Sequence, residues 1–323
     1  MKSSRTIQVE KMLATNFSKI TLPTGEDLKW PWTELEPQWT SDRSWPRISV
    51  ITPSFNQSRF IEQTIRSVIM QAYPNVEYII VDGGSTDGTV EIIKKYDRYL
   101  AHWESEPDRG QSHAINKGLA RATGEILCWL NSDDYYLPDT LKTVAESLSD
   151  RTGNLALVGH CIQVYDDGRP PLEGKGKYEG LDRLLRFWKG YQMHQPSIFW
   201  RREVFDRVGY LDESLHMTMD FDYWVRIAQH FDFTNLDRPL SYSTYHEAAK
   251  TGDNFARYNK ELMRRAPSYW PRKPFLTYYR MKISMYTHMI VQPKLRRLRT
   301  LAAYYPRRAW SVLSRPFTSH ASA

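Results

Sequence analysis

Two acidic clusters stand where apolar runs end. Ile79-Ile80-Val81 leads into Asp82-Gly83-Gly84-Ser85-Thr86-Asp87, and Leu127-Cys128-Trp129-Leu130 leads into Asn131-Ser132-Asp133-Asp134. A buried strand meets water only at its tip, so carboxylates placed there can meet a polar ligand on a rigid frame. Such oxygens suit a hard cation, which takes the rest of its coordination from phosphate and water. The pattern therefore fits a nucleotide diphosphate with Mg2+ or Mn2+. Two further groups invite attention downstream: Asp220, which opens a helical pattern, and His246, followed by Lys250.

Strands and helices must alternate to hold these tips together. Ile48 to Thr52 reads as a strand, and Arg59 to Met70 as a helix with Ile61, Ile65, Val68 and Ile69 on one face. Strands over 77–81 and 125–130, and one at His102-Trp103, interleave with helices over 89–96 and 111–122. This order predicts an α/β domain: a mainly parallel sheet with helices on both faces. A further strand over 155–165 ends in the turn Asp166-Asp167-Gly168, and residues 169–190 read as irregular. A second helix–strand unit follows, its helix carrying Phe221, Val225, Ala228 and Phe231 on one side.

The chain of 323 residues, 41% hydrophobic and 25% charged, has the composition of a globular protein. Cys128 and Cys161 are too few for a disulfide framework and give no metal pattern, which fits a reducing compartment. No signal peptide is expected from the first residues, and no run approaches the ~20 apolar residues of a membrane span. Residues 1–46 carry Trp30, Trp32, Trp39 and Trp45 and read as an extension anchored on the body. The catalytic body is expected over 47–250 and a basic helical region over 251–323.

The charge of +7 is unevenly placed. Thirteen of the 44 Lys and Arg lie from Arg264 onward, where no Asp or Glu occurs; 31 against 37 acids leaves −6 for the rest. Two helical stripes follow, Leu276-Tyr279-Ile283-Tyr286-Ile290 and Leu295-Leu298-Ala302-Tyr305, the second flanked by Arg296, Arg297 and Arg299. A basic amphipathic helix can lie on an anionic membrane surface. The expected location is cytoplasmic, peripheral at the inner face of the cytoplasmic membrane; the alternative is that these helices pack on the domain with a solvated basic face. Nucleic acid is not an expected partner.

Neither a Walker A sequence nor Gly-x-Gly-x-x-Gly after the first strand is present. Thr52-Pro53-Ser54-Phe55-Asn56, Val81 to Thr89, Gly110 to Gly118 and Asn131-Ser132-Asp133-Asp134, in that order, resemble glycosyltransferase family 2. The resemblance covers about residues 47 to 140, with weaker similarity to about 250. It implies a GT-A fold, a nucleotide-sugar donor, a divalent cation and inversion at the anomeric carbon.

On this resemblance Pro53, Ser54 and Asn56 lie against the nucleoside, and Asp82 accepts from the base or ribose. Asp108 approaches the nucleoside or sugar, or caps the next helix. Asp133 is the first metal ligand, with Asp134 as helper or loop-fixing residue. Asn131 and Ser132 face the nucleotide-sugar, and Asn131 stands where the family has the first acid of its Asp-x-Asp motif. His246 ligates the metal or donates to phosphate, and Lys250 pairs with phosphate. Asp220 matches the general base; Met219 replaces the Glu that often precedes it. His194-Gln195-Pro196 resembles an acceptor-side segment. The acceptor is expected to be a glycan or lipid-linked sugar. Asn131 and Met219 keep open a catalytically silent glycan-binding or membrane scaffold. A nucleotidyltransferase would need a glycine-rich basic loop where Pro53-Ser54-Phe55-Asn56 stands.

Overall fold

Three apolar runs and the short strand at His102-Trp103 become the parallel half of one sheet. In the computed structural model, β1 (Ile48–Ser54) pairs in parallel with β2 (Val76–Asp82) and with β4 (Ile126–Trp129), and β2 pairs with β3 (His102–Ser105). The structure describes residues 44–149, 153–190, 193–247, 249–250, 255–270 and 275–291. Strand β1 is buried along its whole length, as a continuous apolar run in a covered sheet requires. The crossovers are α1 (Ile61–Ile69), α2 (Thr89–Lys95) and α3 (Gln111–Arg121). Ile61, Ile65, Val68 and Ile69 of α1 enter the core beside Ile48, Val50, Tyr78 and Ile80. Helix α3 lies so close to β1 that a Cβ on Gly118 would overlap the Ile51 side chain.

The second half adds β5 (Tyr135–Tyr136), α4 (Thr140–Ser147), β6 (Ala156–Tyr165), β7 (Leu172–Gly174), the single-turn α5 (Leu181–Leu184), β8 (Ile198–Arg201), α6 (Arg202–Val208), α7 (Met219–Ala228) and β9 (Phe233–Tyr245). The strand order is β3-β2-β1-β4-β8-β6-β9-β5, with β7 paired to β6, nine strands among the described residues. Beyond β4 the pairing is mixed: β8 runs antiparallel to β4 and β6, while β9 is parallel to β6. Pro239 sits inside β9, where a ladder donor is missing. The register with β6 shifts on both sides of its partner His160, which accommodates it.

The described residues divide into two compact units, those up to 184 together with those of 192–261, and those of 185–191 together with those from 262 onward. The first contains the sheet and the start of α8 (Phe255–Arg265). Here Trp45 packs edge-on against Tyr73, whose hydroxyl donates to Pro46 O at 2.7 Å. In the second, α9 (Phe275–Tyr286) buries Met281 and Met285 and accepts a hydrogen bond from Trp188 Nε1 to Ser284 Oγ, 3.0 Å. Its other face leaves Leu276 74% and Ile283 64% exposed, with Tyr279 and Tyr286 beside them. No helix among the described residues is long and apolar enough to cross a membrane. Trp30, Trp32, Trp39 and the stripe from Leu295 to Tyr305 lie outside the described residues.

Candidate active site

A cleft of about 990 Å3 opens at the strand tips of the first unit. Pro53, Ser54, Asp108, Asn131, Ser132, Asp133, Asp134, Asp220 and Lys250 all border it. Asn56 and His246 border a second cavity of about 380 Å3, which shares Gln57 with the first. Asp82 borders neither; Gly83 and Gly84, which follow it, line the cleft.

Asp82 is fully buried because it organises the loop that it begins. Its Oδ2 accepts from Gly84 N at 3.1 Å, Ser85 N at 2.8 Å and Ser105 Oγ at 2.7 Å, and its Oδ1 from Ser85 Oγ at 2.6 Å. The loop after β1 is knitted to this one. Asn56 N donates to Ser85 Oγ (2.7 Å), Thr86 N to Asn56 Oδ1 (3.0 Å) and Ser58 N to Asp87 Oδ2 (3.0 Å). Asn56 holds a left-handed φ of 52° to do so. Asp87 also accepts from Thr89 N at 3.1 Å, at the entry of α2. Burial would raise its pKa, but these donors hold it at about 2. The Ser54 hydroxyl is buried without a hydrogen-bond partner at the cleft wall.

Asp108 both caps and faces the cleft. Its Oδ1 accepts from Gly110 N at 2.6 Å ahead of α3, while a Cβ on Gly83 would come within 2.9 Å of its Oδ2. Glycine at 83 keeps that approach open.

At the tip of β4, His246 Nε2 lies 3.1 Å from Asp133 Oδ2. The imidazole is 6% exposed, packs on Phe60 at 4.3 Å between centroids, and its buried Nδ1 has no hydrogen-bond partner among the described residues. Asp134 turns inward instead: Oδ1 accepts from Thr244 N at 3.0 Å and Oδ2 from Asn131 Nδ2 at 3.3 Å. Burial, and next the Asp133 charge, push the Asp134 carboxyl well above the usual range. Among the described residues no group of three or more His, Cys, Asp or Glu is arranged around a cation position. The donor set present is the Asp133 carboxylate on the cleft with the His246 imidazole, from the neighbouring cavity, behind it; one carboxylate oxygen and one imidazole fit Mn2+ that completes its shell from phosphate oxygens and water.

Asn131 joins a line of amides across the cleft. Its Oδ1 accepts from Gln111 Nε2 at 2.8 Å, and its Nδ2 donates to Gln195 Oε1 at 3.0 Å. Gln195 Nε2 donates to Trp129 O at 2.7 Å, and Lys250 Nζ donates to Gln111 Oε1 at 3.0 Å. Sequence reasoning missed Gln111 altogether and named Gln195 only as part of an acceptor-side segment.

Asp220 sits in the first turn of α7, half-buried on the cleft wall. Burial of the carboxyl raises its pKa; Phe221 N–H and the Lys250 charge oppose this, and the Glu261 charge adds to it. The loop leading to it is pinned by α3. Asn116 Nδ2 donates to Leu211 O (3.0 Å) and Asn116 Oδ1 accepts from Leu211 N (2.9 Å), while Ser112 Oγ donates to Leu215 O (3.2 Å) and to Met219 Sδ (2.8 Å). Met219 is buried against Ser112. Asp222 pairs with Arg226 at 2.8 Å, as its spacing of four predicts. Glu261, from α8, accepts from the backbone of residues 216–218. Nothing in its sequence surroundings signals this beyond its being the last acid before the basic tail.

The family model "Glycosyl transferase family 2" matches residues 49–209. An uncharacterised glycosyltransferase of Mycobacterium tuberculosis is 33% identical over 189 residues, 57% of this chain and 69% of that protein. TuaG of Bacillus subtilis, named for teichuronic acid biosynthesis, is 38% identical over 129 residues, 38% of this chain and 49% of that protein. The fold is similar to that of S. aureus TarS in complex with UDP-GlcNAc: TM-score 0.58 at 21% identity, over 76% of this chain and 73% of that one. It is also similar to mannosyltransferase PcManGT from Pyrobaculum calidifontis in complex with GDP-Man and Mn2+. There the TM-score is 0.54 at 20% identity, over 97% and 95% of the two chains. With a GT-A α/β sheet, a cleft at its strand tips and these relatives, the chain belongs to glycosyltransferase family 2.

Proposed function

We propose that the protein moves a sugar from a nucleotide-sugar to a hydroxyl of a glycan or lipid-linked acceptor, with inversion, in building a surface polysaccharide or glycolipid. One observation carries this reading: Asp133, with His246 at 3.1 Å, and Asp220 border a single cleft, so a cation site and a base face the same space. The names of TuaG, TarS and PcManGT support the polysaccharide setting and the nucleotide-sugar class.

The loops knitted by Asp82, Ser85 and Asn56 form one wall, where Pro53, Ser54 and Asp108 receive the nucleoside. Asp133 and His246 would hold Mg2+ or Mn2+, which supplies Lewis-acid stabilisation of the leaving nucleoside diphosphate when bound. Asp134 fixes the loop beneath Asp133 through Thr244 and Asn131. Lys250 also borders the cleft and would pair with the diphosphate. Asp220 takes the proton from the acceptor hydroxyl as its oxygen bonds to the anomeric carbon and the bond to the diphosphate breaks. Such a base must be ionised and within about 2.6–3.2 Å of the hydroxyl.

The test is a panel of UDP-, GDP- and dTDP-sugars with Mn2+, read by thermal stabilisation and then by donor hydrolysis or transfer. One sugar nucleotide that stabilises and turns over is the expected result. Binding with neither hydrolysis nor transfer would favour the scaffold alternative, and release of pyrophosphate the nucleotidyltransferase.

The basic region from 251 onward is proposed to rest on anionic membrane. Its lack of acidic residues from 262 onward supports this, as does the exposed apolar face of α9, with Leu276 and Ile283 outward and Arg280 and Lys282 on the same helix. Apolar area and basic charge together are what an interfacial helix needs. Flotation of the full chain with vesicles containing anionic lipid, but not with neutral vesicles, is expected; absence from both would end the idea.

A further inference from the structure

We propose that Glu261 is a positioning residue of this active site, clamping the entry of α7 so that Asp220 is presented to the cleft. The inference rests on the reading of Asp220 as the base. Glu261 Oε1 accepts from Met217 N at 3.0 Å, Thr218 N at 2.9 Å and Thr218 Oγ1 at 2.8 Å, and Oε2 from His216 N at 3.3 Å. The first N–H groups of a helix lack intrahelical partners, and Thr218 at the N-cap makes no side-chain cap of its own. Glu261 supplies the acceptor for one of these groups, Thr218 N–H, and for the two residues that lead into it, from a helix 43 residues later in the chain than Thr218. A carboxylate suits this place twice over, because it accepts at both oxygens and favours the positive end of the helix dipole.

The clamp has two jaws. Ser112 and Asn116 of α3 hold Leu215 and Leu211 from one side, and Glu261 of α8 holds residues 216–218 from the other. Asp220 follows within two residues. The match to the family model ends at residue 209, so this second jaw lies beyond it.

The charge of Glu261 also bears on the base. Lys250 and Glu261 act on Asp220 by their charge and Tyr258 lies within reach of it; His216, Arg257, Tyr245 and the carboxyls of Asp108, Asp133 and Asp134 border the same cleft, and of the acids it is Glu261 whose charge bears on Asp220. Glu261 adds to the rise that burial produces in Asp220, while Lys250 opposes it. Burial would raise Glu261 itself, but the donors from Met217, Thr218 and His216 hold its pKa below the ordinary value. It is therefore ionised wherever Asp220 must be. Removing its charge should lower the Asp220 midpoint, while removing its acceptors should loosen the helix entry.

The experiment is carbon-13 carboxyl titration and amide exchange on the full chain, with the Asp220 signal identified by its loss in Asp220→Asn. In Glu261→Gln the Asp220 midpoint is expected to fall by about 0.5 unit or more. In Glu261→Ala, amide exchange at Met217 and Thr218 should quicken about tenfold or more, as for a lost helix cap. With a donor that turns over, kcat should fall about 10- to 100-fold at unchanged donor KM. An unchanged Asp220 midpoint together with unchanged exchange would overturn the proposal. Should Glu261→Ala fail to fold, Thr218→Val decides: faster exchange at Met217 supports the clamp, and parental exchange sinks it. If no nucleotide-sugar is ever turned over, titration and exchange still judge Glu261, so the two failures are told apart.

Discussion

His246 Nε2 and Asp133 Oδ2 lie 3.1 Å apart although 113 residues separate them in the chain. The tip of β4 and the residue after β9 meet at one point, and neither neighbourhood holds another His. Cation binding should therefore depend on both. Asp133→Ala and His246→Ala are each expected to stay folded yet lose most of the Mn2+-dependent stabilisation by nucleotide. Thermal melts with and without Mn2+ check this, and full turnover by purified Asp133→Ala would remove Asp133 from the mechanism.

Asp220→Asn should lower kcat by about 100-fold or more while leaving nucleotide binding intact. The parent's acid limb carries a second expectation. The base acts ionised, and burial raises its pKa, so activity should begin to fall at a higher pH than for an ordinary carboxylate. A kcat/KM profile that stays flat to about pH 4 would contradict the assignment.

Glu104 gives the fold its own pH dependence. Burial would raise its pKa, but Lys117, His102 and Arg121 outweigh this and hold it at about 2. A carboxylate depressed in the folded state stabilises fully above its unfolded value, near 4.5, and loses that contribution as pH falls toward 2. Glu104→Gln should cost up to about 3 kcal/mol at pH 7 and less at pH 2.5, measured by urea denaturation at both.

Gly118→Ala should destabilise by about 1–3 kcal/mol, because the new methyl must displace Ile51 or move α3 off β1. Denaturation midpoints report it directly, and in an Ile51→Ala background, which lacks the clashing Cγ2 and Cγ1, Gly118→Ala should cost less than in the parent.

Asp82→Ala should act first on stability. Four donors would lose a buried acceptor, at a cost of about 2–4 kcal/mol. Nucleotide affinity should fall as a consequence of loop loosening, seen as faster amide exchange at Gly84 and Ser85.

The parallel block was legible because three of its strands contain a short apolar run and the crossover helices between them show one apolar face; the polar edge strand β3, His102–Ser105, was placed by its position in the alternation. The cleft residues after β1 and β4 were legible for the same reason, since strand tips fix where a ligand must lie. Asp82 illustrates the limit. Its type and place marked it as a ligand-facing acid, whereas its carboxylate is consumed by Ser85, Gly84 and Ser105. Such pairing depends on backbone N–H directions that no residue pattern records. Glu261, Gln111 and Ser112 were missed because their partners lie on other elements. Strand β9 was obscured by Pro239, which the shifted register opposite His160 absorbs. The pairing of Lys117 with Glu104, on another element, likewise leaves no mark in the residue pattern.

The amide row through Gln111, Asn131 and Gln195 makes the missing acid hard to restore. Each carboxamide is oriented, giving at one end and receiving at the other, so the three form a directed chain from Lys250 to the Trp129 carbonyl. Asn131→Asp would set an anion against Gln195 Oε1 and beside Asp134, and Gln195 could turn to meet it only by abandoning Trp129. Two acids at this spot would therefore need a coordinated change at Gln195, so a single replacement is not free.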